Sequence, residues 1–415
     1  MRILWLSHLV PYPPKGGVLQ RAYHMVRELG ERHDLDLVAF VQPALMEPMF
    51  PSLQEALEQS EKHLKQYCRS VRFVPIDAVQ GRFGRLGLAA KSLFSSRPYT
   101  IGWLRSRAFE DIVAEMLATN DYDVVHFDTI SLGPYRRLVE NLPCVLDHHN
   151  VESHLLARRA ENESNPLKSW YFRQEGVRLE EYERKVCSQF TLNLLCSEMD
   201  KERLQVIAPD CRMEVVPNGV DAEYFYPASM VGSGEKSLIF AGRLNWYPNT
   251  QAVRFIAFEL WPSLKKAIPD VKIDIVGANP PADIVDFAKK EPDFRVHGFV
   301  DDVRTYIANA SIYICPITDG GGTKLKILDA LAMAKPLVAD PIACEGIMVE
   351  DGCNVRFAES VQNYIDAIRE LLDSPREMQR LGGSGREMIE RQYSYSIIGE
   401  QLSCLFQDIT IPSSG

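Results

Sequence analysis

Strand and helix signals alternate along this chain in two long series, and this alternation constrains the fold more than any other feature. Apolar runs at 3–7, 35–40 and 71–76 predict strands, and segments with apolar residues on one face, such as 18–31, predict helices between them. A polar stretch at 229–236 interrupts the series, which restarts with the apolar run 238–241. Alternation of this kind predicts a parallel sheet with helices on both faces, built twice.

The length of 415 residues exceeds one ordinary core, and the polar stretch is the best candidate for a linker. We therefore predict an α/β protein with two Rossmann-like, doubly wound parallel-sheet domains, 1–228 and 229–393, facing across a cleft. Ligands of such sheets bind at the carboxyl ends of the strands. The residues that follow predicted strands are therefore the candidates for function.

Composition excludes several classes of protein. With 46% hydrophobic and 25% charged residues the chain is globular, and it has no tract of about 18 apolar residues that would predict a membrane span. The amino-terminal MRILWLSHLV has no basic n-region, so we interpret it as a strand and not as a signal peptide. Nine cysteines without a CxxC pair indicate reduced thiols and a cytoplasmic protein. The net charge of −10 argues against a nucleic-acid partner.

One segment, 78–109, departs from the acidic average, because it holds six Arg or Lys residues and no acid. Leucine, phenylalanine and tryptophan side chains are interleaved with these charges. Such a segment can dock on an anionic membrane surface, or it can form the solvated face of a helical hairpin packed on the core. The residues alone leave both interpretations open.

The stretch 317–340 places a glycine loop between a predicted strand and a predicted helix. Backbone N–H groups and the positive helix end at such a loop can bind an anion, although glycines also serve tight turns. Lys324 and Lys326 favour an anion, since cations in the first turn work against the helix dipole. The order Gly-Thr-Lys differs from that of a Walker A loop. The loop consists of Gly320, Gly321, Gly322 and Thr323.

Two more residues of the second half fit a nucleoside diphosphate. Arg243 follows the strand at 238–241, and its planar guanidinium could bind a phosphate or pair with an acid on the surface. Asp329 lies one helical turn beyond Lys326, where its carboxylate could accept hydrogen bonds from a ribose diol or face solvent. In the first half, Gly16 and Gly17 stand at a helix start and could admit a ligand to the backbone.

Histidines also occur near strand ends. His126 and His149 lie where an imidazole could bind a sugar hydroxyl or move a proton. His148 and His149 are adjacent and point to opposite faces of a strand, so at most one of them should be used. The chain has no HExxH, and its two Asp-x-Asp triplets fall where strands begin, away from the expected cleft. We therefore predict no metal site.

Motifs along nearly the whole chain resemble the family 4 glycosyltransferases of GT-B fold. In order they are PYPPKGGVLQRAYHMVRELGERH, DVVHFD, LDHHNVES, VVPNGVDAEYF, FAGRLNWYPNTQAVRFI, DIVGANPP, VHGFVDDVRTYIANASIYICPI and GGGTKLKILDALAMAKPLVA. Each motif is loose alone, but their order and spacing together are specific. The resemblance implies a metal-independent enzyme without a cofactor that moves a sugar from a nucleotide-diphosphate sugar to an acceptor hydroxyl with retention of configuration. It also implies that 229–393 binds the donor, and that a last helix, about 394–415, packs back on an acceptor-side first domain.

The resemblance also assigns roles to single residues. It implies that Arg243 and Lys326 hold the donor diphosphate, and that Asp329 binds the ribose. The loop from Gly320 to Thr323 is similar to a backbone cradle for the donor. On the acceptor side, Gly17, with Gly16 before it, resembles a loop near the phosphates, and His149 resembles the histidine beside the reacting sugar. His126 is the weaker match for that histidine.

Three positions depart from the family pattern. Gly321 stands where the first glutamate of a Glu-x7-Glu motif is usual, and Asp329 replaces the second. The lysine that usually follows the Gly-Arg pair is missing, because this region reads Tyr247-Pro248-Asn249. A subset of the family has the Gly-Gly-Gly-Thr form with a lysine three residues before the acid, a position that Lys326 occupies. The departures affect the expected donor sugar more than the expected reaction.

We therefore expect a glycosyltransferase of cell-surface polysaccharide or glycoconjugate biosynthesis. The expected donor is a nucleotide sugar, most commonly linked to UDP, and the expected acceptor is a sugar or a lipid-linked molecule. The expected location is the cytoplasm, with a peripheral membrane contact through 78–109 at the inner face. Two alternatives are a nucleotide-sugar epimerase and a non-catalytic nucleotide-sugar-binding protein of the same fold, which the glycine at position 321 would suit.

Overall fold

The computed structural model describes residues 1–15, 17–76, 92, 98–227, 236–320 and 322–411. The chain forms two compact units, Met1–Pro217 together with Ile398–Gly415, and Asn218–Ile397. Each unit contains one sheet of parallel strands, which confirms the predicted α/β class with two doubly wound sheets. Residues 218–227 belong to the second unit, ahead of the predicted boundary, and most of the predicted linker lies outside the described residues.

The first sheet has seven strands in the order β3-β2-β1-β4-β5-β6-β7. Its chain order reverses between β1 and β4, which makes this the switch point of the sheet. Most strands are buried along their length, as expected for a parallel sheet with both faces covered. The strands are β1 Arg2–Ser7, β2 Asp34–Val41, β3 Ser70–Pro75, β4 Val124–Phe127, β5 Cys144–His148, β6 Leu192–Leu195 and β7 Met213–Val215.

Several helices of the first unit begin at serine caps. Ser52, Ser106 and Ser197 each accept a hydrogen bond from the backbone N–H three residues later, which satisfies one free donor of the helix end. The helices Glu152–Asn162 and Glu198–Ile207 were missing from the sequence prediction, because their apolar faces are short. The described helices are Gly17–Gly30, Pro43–Met46, Leu53–Leu64, Tyr99–Gly102, Arg107–Thr119, Glu152–Asn162, Pro166–Val186 and Glu198–Ile207, with 3-10 segments at Glu47–Met49, Ile130–Leu138 and Cys187–Gln189.

The basic segment 78–109 lies mostly outside the described residues. Its described part, 98–109, contains the helix Tyr99–Gly102 and the start of the helix Arg107–Thr119. Leu104 and Phe109 in this part are buried in the core of the first unit. In the part of the chain that the structure describes, no helix is long and apolar enough to cross a membrane.

The second sheet has six strands in the order β10-β9-β8-β11-β12-β13, and its switch point lies between β8 and β11. The two-residue strand β13 was not predicted, because so short a strand carries no periodic signal. The strands are β8 Ser237–Ala241, β9 Lys272–Val276, β10 Phe294–Gly298, β11 Ile312–Cys315, β12 Leu337–Ala339 and β13 Arg356–Phe357.

The helices of the second unit cover a core that includes Trp261 and Tyr313. The sequence predicts one helix over 250–267, whereas the structure begins it at Tyr247 and includes a π-helical segment, Phe255–Leu260. The described helices are Tyr247–Arg254, Trp261–Ala267, Ala282–Ala288, Arg304–Asn309, Leu325–Ala332, Val361–Asp373 and Pro375–Met388, with a second π-helical segment at Ile389–Tyr393 and a 3-10 segment at Pro341–Cys344.

The last helix, Tyr395–Thr410, returns the chain to the first unit. Ser403 Oγ lies 2.7 Å from Nε2 of His33, and the Phe406 ring lies 5.9 Å from the His126 ring. Gly399 lies so close to Glu28 that a Cβ atom at position 399 would displace the Glu28 side chain. These contacts attach the last helix to the first unit.

Candidate functional site

In the second unit, the predicted donor residues follow two strands that are neighbours at the switch point. Gly242 and Arg243 come directly after β8. The loop 316–324 follows β11 and leads into the helix Leu325–Ala332, which carries Lys326 and Asp329. Because ligands of doubly wound sheets bind outside the carboxyl ends of the strands at this point, the topology brings the two predicted groups to one location.

The Lys326 side chain reaches back from the first helical turn to the end of β8. Its Nζ donates a hydrogen bond to Oδ1 of Asn249 and lies 4.6 Å from the centre of the Phe240 ring. A Cβ atom at position 242 would collide with this ammonium group, so a glycine there allows the lysine to approach. Burial lowers the pKa of Lys326 to about 8. A partly desolvated cation attracts an anion more strongly than one in water.

Arg243 is exposed, and its guanidinium has no hydrogen-bond or ion-pair partner among the described residues. Its backbone is fixed instead, because the carbonyl oxygen accepts a hydrogen bond of 2.8 Å from Nδ2 of Asn249 and one of 3.2 Å from the backbone N–H of Trp246. The alternative of a surface arginine paired with an acid is therefore not seen in the described part. An unpaired guanidinium beside the switch point is available for a phosphate.

Asp329 lies partly buried one turn beyond Lys326. Burial raises the pKa of the Asp329 carboxyl to about 7, although the charge of Lys326 acts in the opposite direction. No described residue donates a hydrogen bond to this carboxylate. Its oxygens are therefore open to donors from a ligand, such as the hydroxyls of a diol.

The glycine loop before the helix is held by its own residues. Gly320 and Gly322 have φ angles of 102° and 71°, which side chains rarely adopt. Lys324 is buried, and its Nζ donates a hydrogen bond of 2.6 Å to the carbonyl oxygen of Gly320, so this lysine shapes the loop. Among the described residues, no side chain caps the start of the helix Leu325–Ala332, which leaves its first N–H groups without that partner. Gly321 lies outside the described residues. Thr323, the last residue of the loop, is partly buried.

In the first unit, three polar residues follow three neighbouring strands at the switch point. His8 comes directly after β1, which ends at Ser7. Asp128 follows β4, and His149 follows β5. Nδ1 of His8 lies 3.0 Å from Oδ2 of Asp128, and Nε2 of His149 lies 2.9 Å from Oδ1. Ser7 Oγ donates a third hydrogen bond of 2.8 Å to Oδ2. We call His8, Asp128 and His149 the His-Asp-His cluster.

The cluster favours an ionised Asp128. Burial opposes the charge, but His149 and His8 outweigh it and hold the pKa of Asp128 well below its usual range. Burial lowers the pKa of His149, but the hydrogen bond to Asp128 and the negative charges of Asp128 and Asp147 raise it by more. The pKa of His149 is therefore raised. An ionised carboxylate can only accept, so each bonded imidazole nitrogen carries a proton. The other ring nitrogen of His149 is left for a further contact.

The remaining two histidines near these strands are core residues. His126 has no exposed surface, and its ring lies 3.6 Å from the Trp5 ring without a hydrogen bond to either nitrogen in the described structure. Burial lowers its pKa to about 4. His148 is also buried, and Nε2 lies 3.2 Å from Oδ1 of Asn193. Of the predicted acceptor-side histidines, the structure therefore brings only His149 to the switch point.

Gly17 begins the helix Gly17–Gly30, and Gly16 lies outside the described residues. One turn into this helix, Arg21 is buried and binds Asp147 with two hydrogen bonds, of 3.0 and 2.8 Å. Its Nη1 also donates to the carbonyl oxygens of Val216 and Pro217. Arg21 therefore ties the helix that begins at Gly17 to Asp147, the second-last residue of β5.

The His-Asp-His cluster also offers one metal-ligand atom from each residue, and these atoms lie within 4.8 Å of one another. Two imidazoles and a carboxylate are a donor set that transition metals accept. The N–O distances of 2.9 and 3.0 Å are those of direct hydrogen bonds, so the arrangement is explained without an ion. The absence of a metal requirement therefore stays a prediction.

Sequence analysis missed four residues that shape the two sites, His8, Asp128, Arg21 and Asn249. His8 and Asp128 could have been found, because each follows a predicted strand end as His149 does. Arg21 and Asn249 could not, because both lie on helices and their partners are 126 and 77 positions away along the chain. Only the fold brings these partners together.

Two family models match this chain. Residues 15–224 match the model described as Glycosyltransferase Family 4, and residues 235–374 match the model described as Glycosyl transferases group 1. The first match alone covers half of the chain. Together the two matches include Gly17, Asp128, His149, Arg243 and Lys326.

Known proteins of similar sequence and structure agree with this assignment. The chain is 23% identical over 321 residues to a phosphatidyl-myo-inositol mannosyltransferase of Mycobacterium leprae, covering 75% of this chain and 79% of that protein. The crystal structure of Anabaena Alr3699/HepE in complex with UDP superposes with a TM-score of 0.65 at 16% identity, covering 98% of this chain and 100% of that one. Sucrose-phosphate synthase from Thermosynechococcus elongatus superposes with a TM-score of 0.68 at 14% identity over 99% of each chain. This chain is a member of glycosyltransferase family 4 with the GT-B fold.

Proposed function

We propose that this enzyme transfers a sugar from a nucleotide-diphosphate sugar to an acceptor hydroxyl, with retention of anomeric configuration and without a metal ion or cofactor. The observation that carries the proposal is the pair of cations at the switch point of the second sheet. Arg243 and Lys326 both lie there without a carboxylate in salt-bridge contact among the described residues. Two such cations suit the two charges of a diphosphate.

In this proposal the second unit stabilises the leaving group. Negative charge grows on the diphosphate as the bond to the sugar breaks, and Arg243, Lys326 and the N–H groups of Gly322 and Thr323 would offset it. The N–H group of Gly320 already donates a hydrogen bond of 2.6 Å to Oδ1 of Asp319. Asp329 would accept hydrogen bonds from the ribose. Because protein cations would neutralise the diphosphate, a divalent metal would not be needed for that purpose.

The first unit would supply the acceptor side. Gly16 and Gly17 would let the donor phosphates and the acceptor approach the backbone, and His149 would contact the reacting sugar through its free ring nitrogen. We assign no such contact to His126, because its ring is enclosed between Trp5 and the last helix. Asp128 accepts three hydrogen bonds and is fully buried, which makes it a poor nucleophile. This supports same-face attack by the acceptor over a covalent intermediate on that carboxylate.

Two similar proteins support a choice of donor base and acceptor class. The Anabaena protein of similar fold was solved in complex with UDP, and the Mycobacterium leprae relative is named a phosphatidyl-myo-inositol mannosyltransferase. We therefore propose a UDP-linked donor and a sugar or lipid-linked acceptor in the synthesis of cell-surface polysaccharides or other glycoconjugates. A cytoplasmic enzyme that touches the inner face of the membrane through 78–109 fits such an acceptor. Flotation with anionic liposomes at low salt tests this contact, and a protein that stays unbound would argue against it.

The transfer itself is tested by measuring release of nucleoside diphosphate from UDP- and GDP-linked sugars with and without candidate acceptors. Release that requires an acceptor, and continues in EDTA, supports metal-independent transfer. Release without an acceptor indicates hydrolysis or epimerisation, and tight binding without release indicates a binding protein. The anomeric configuration of the product, read by proton NMR, decides between retention and inversion.

A further inference from the structure

Asn249 uses both ends of its side-chain amide to join the ammonium group of Lys326 to the backbone of Arg243. Its Oδ1 accepts from Nζ of Lys326, and its Nδ2 donates a hydrogen bond of 2.8 Å to the carbonyl oxygen of Arg243. An ammonium group cannot accept and a carbonyl cannot donate, so only this orientation of the amide satisfies both partners. The side chain is buried, which makes the loss of either bond costly.

Asn249 lies in the region where the family pattern usually has a lysine after the Gly-Arg pair. The loop after Arg243 reads Tyr247-Pro248-Asn249, with no lysine. Lys326 comes from a different element, the helix Leu325–Ala332, and still brings its ammonium group to this loop. The missing side chain at Gly242 leaves the space through which the lysine arrives.

We propose that Asn249 is a positioning residue, which holds the Lys326 ammonium group at the carboxyl end of β8 so that the helix supplies the cation that the loop lacks. This inference rests on the proposed function, since it assigns the held cation to the donor diphosphate. Asn249 itself would not touch the donor. Its main effect on donor binding would pass through Lys326, and a smaller effect would pass through the loop of Arg243, whose carbonyl oxygen it also binds.

The surroundings of the Lys326 ammonium group explain why its position depends on a hydrogen bond from this group to Asn249. The Phe240 ring lies beside this ammonium group. The Cys315 thiol and the charged side chains of Asp329 and Lys324 also act on it. Asn249 is the only hydrogen-bond acceptor that Lys326 contacts in the described ranges. Without it, a cation that is already disfavoured by burial would lose the bond that fixes its place.

Thr250 provides a matched control. Its Oγ1 lies 2.6 Å from the carbonyl oxygen of Leu244 and 3.3 Å from that of Trp246, so its hydroxyl ties the same loop as Asn249 without contacting Lys326. Asn249→Ala removes the loop bond and the lysine bond, whereas Thr250→Val removes only a loop bond. Lys326→Ala and the double variant Asn249→Ala/Lys326→Ala complete the set.

Affinity for UDP, measured by calorimetry, is the first readout. Asn249→Ala should weaken UDP binding about 10- to 100-fold, as expected for a lost hydrogen bond to a charged group. Thr250→Val should change it by less than about threefold. The double variant should bind UDP more weakly than Lys326→Ala by no more than the small loss seen in Thr250→Val, because residues that act through each other are not additive. Additive losses, or an equal loss in Thr250→Val, would overturn the proposal.

The second readout does not depend on any ligand. Competitive labelling of lysines across pH, followed by peptide mass spectrometry, reports the pKa of Lys326 directly. The pKa should fall in Asn249→Ala, rise in Asn249→Asp and stay unchanged in Thr250→Val. If the wild type fails to bind UDP, the proposed donor is wrong, and the labelling still decides whether Asn249 holds Lys326. Identical titration of Lys326 in all variants would exclude the positioning role.

Discussion

Nε2 of His149 donates a hydrogen bond of 2.9 Å to Oδ1 of Asp128, across the carboxyl ends of the neighbouring strands β5 and β4. The other oxygen of the same carboxylate accepts from His8 and Ser7. One buried acid therefore fixes the ring of the histidine that we place beside the reacting sugar. The charges of this pair give the first unit a pH dependence that can be measured.

Asp128→Asn should lower the free energy of unfolding more at pH 6 than at pH 9. The pKa of His149 is raised in the folded state, so its contribution is complete below the ordinary value of 6.5 and is lost as pH rises through the folded value. Asp128 is ionised at both pH values, because its pKa is lowered. Urea unfolding of both proteins at the two pH values tests this, and a difference that grows at pH 9 would contradict it.

The fold was largely readable from the sequence, because long apolar runs and one-sided helices carry clear periods. The same pattern predicted parallel sheets with helices on both faces, but not the order of the strands in each sheet. The short strand β13 and the polar helix Glu152–Asn162 were not readable, since neither has enough apolar residues to produce a period. Arg243 and His149 could be proposed because each follows a strand, and Lys326 and Asp329 because they lie one turn apart on a predicted helix. Asn249 and Arg21 could not, since their partners are distant along the chain.

Arg21→Ala should destabilise the first unit by about 3–5 kcal/mol, because it leaves the buried carboxylate of Asp147 without its partner. The exposed pair of Lys185 and Glu181 provides the control. Lys185→Ala should change the free energy of unfolding by less than about 1 kcal/mol. Both are measured by urea unfolding at pH 7, and equal effects of the two changes would refute the role of Arg21.

His126→Phe should flatten the loss of stability in acid. The pKa of His126 is lowered to about 4 by burial, so the unfolded chain takes up its proton first as pH falls below 6.5. This linkage costs the wild type about 2 kcal/mol between pH 7 and pH 5. Unfolding free energies of the variant at the two pH values should therefore differ less than those of the wild type. Parallel pH curves for the two proteins would show that His126 does not titrate as described.

Asp329→Asn should separate stability from donor binding. The pKa of Asp329 is raised to about 7, so the folded protein loses stability as pH rises from the ordinary value of 3.8 through 7. The amide removes this loss, and the variant should therefore be more stable than the wild type at pH 8 but not at pH 4. Its KM for the donor should rise, since a carboxylate that would accept from the ribose is gone. A variant that is no more stable than the wild type at pH 8 would contradict the raised pKa of Asp329. A variant that keeps the wild-type KM would contradict the contact with the ribose.

The most direct test of the central proposal is the turnover number of Arg243→Ala in acceptor-dependent release of UDP. Arg254 is the matched control, because it is an exposed arginine of the same unit that pairs with Asp283 on the surface. We predict that Arg243→Ala lowers kcat by about 10²-fold or more, as expected for the loss of one group that stabilises the leaving diphosphate. Arg254→Ala should keep the wild-type rate. A kcat of Arg243→Ala close to that of the wild type would contradict the assignment of this site to the diphosphate.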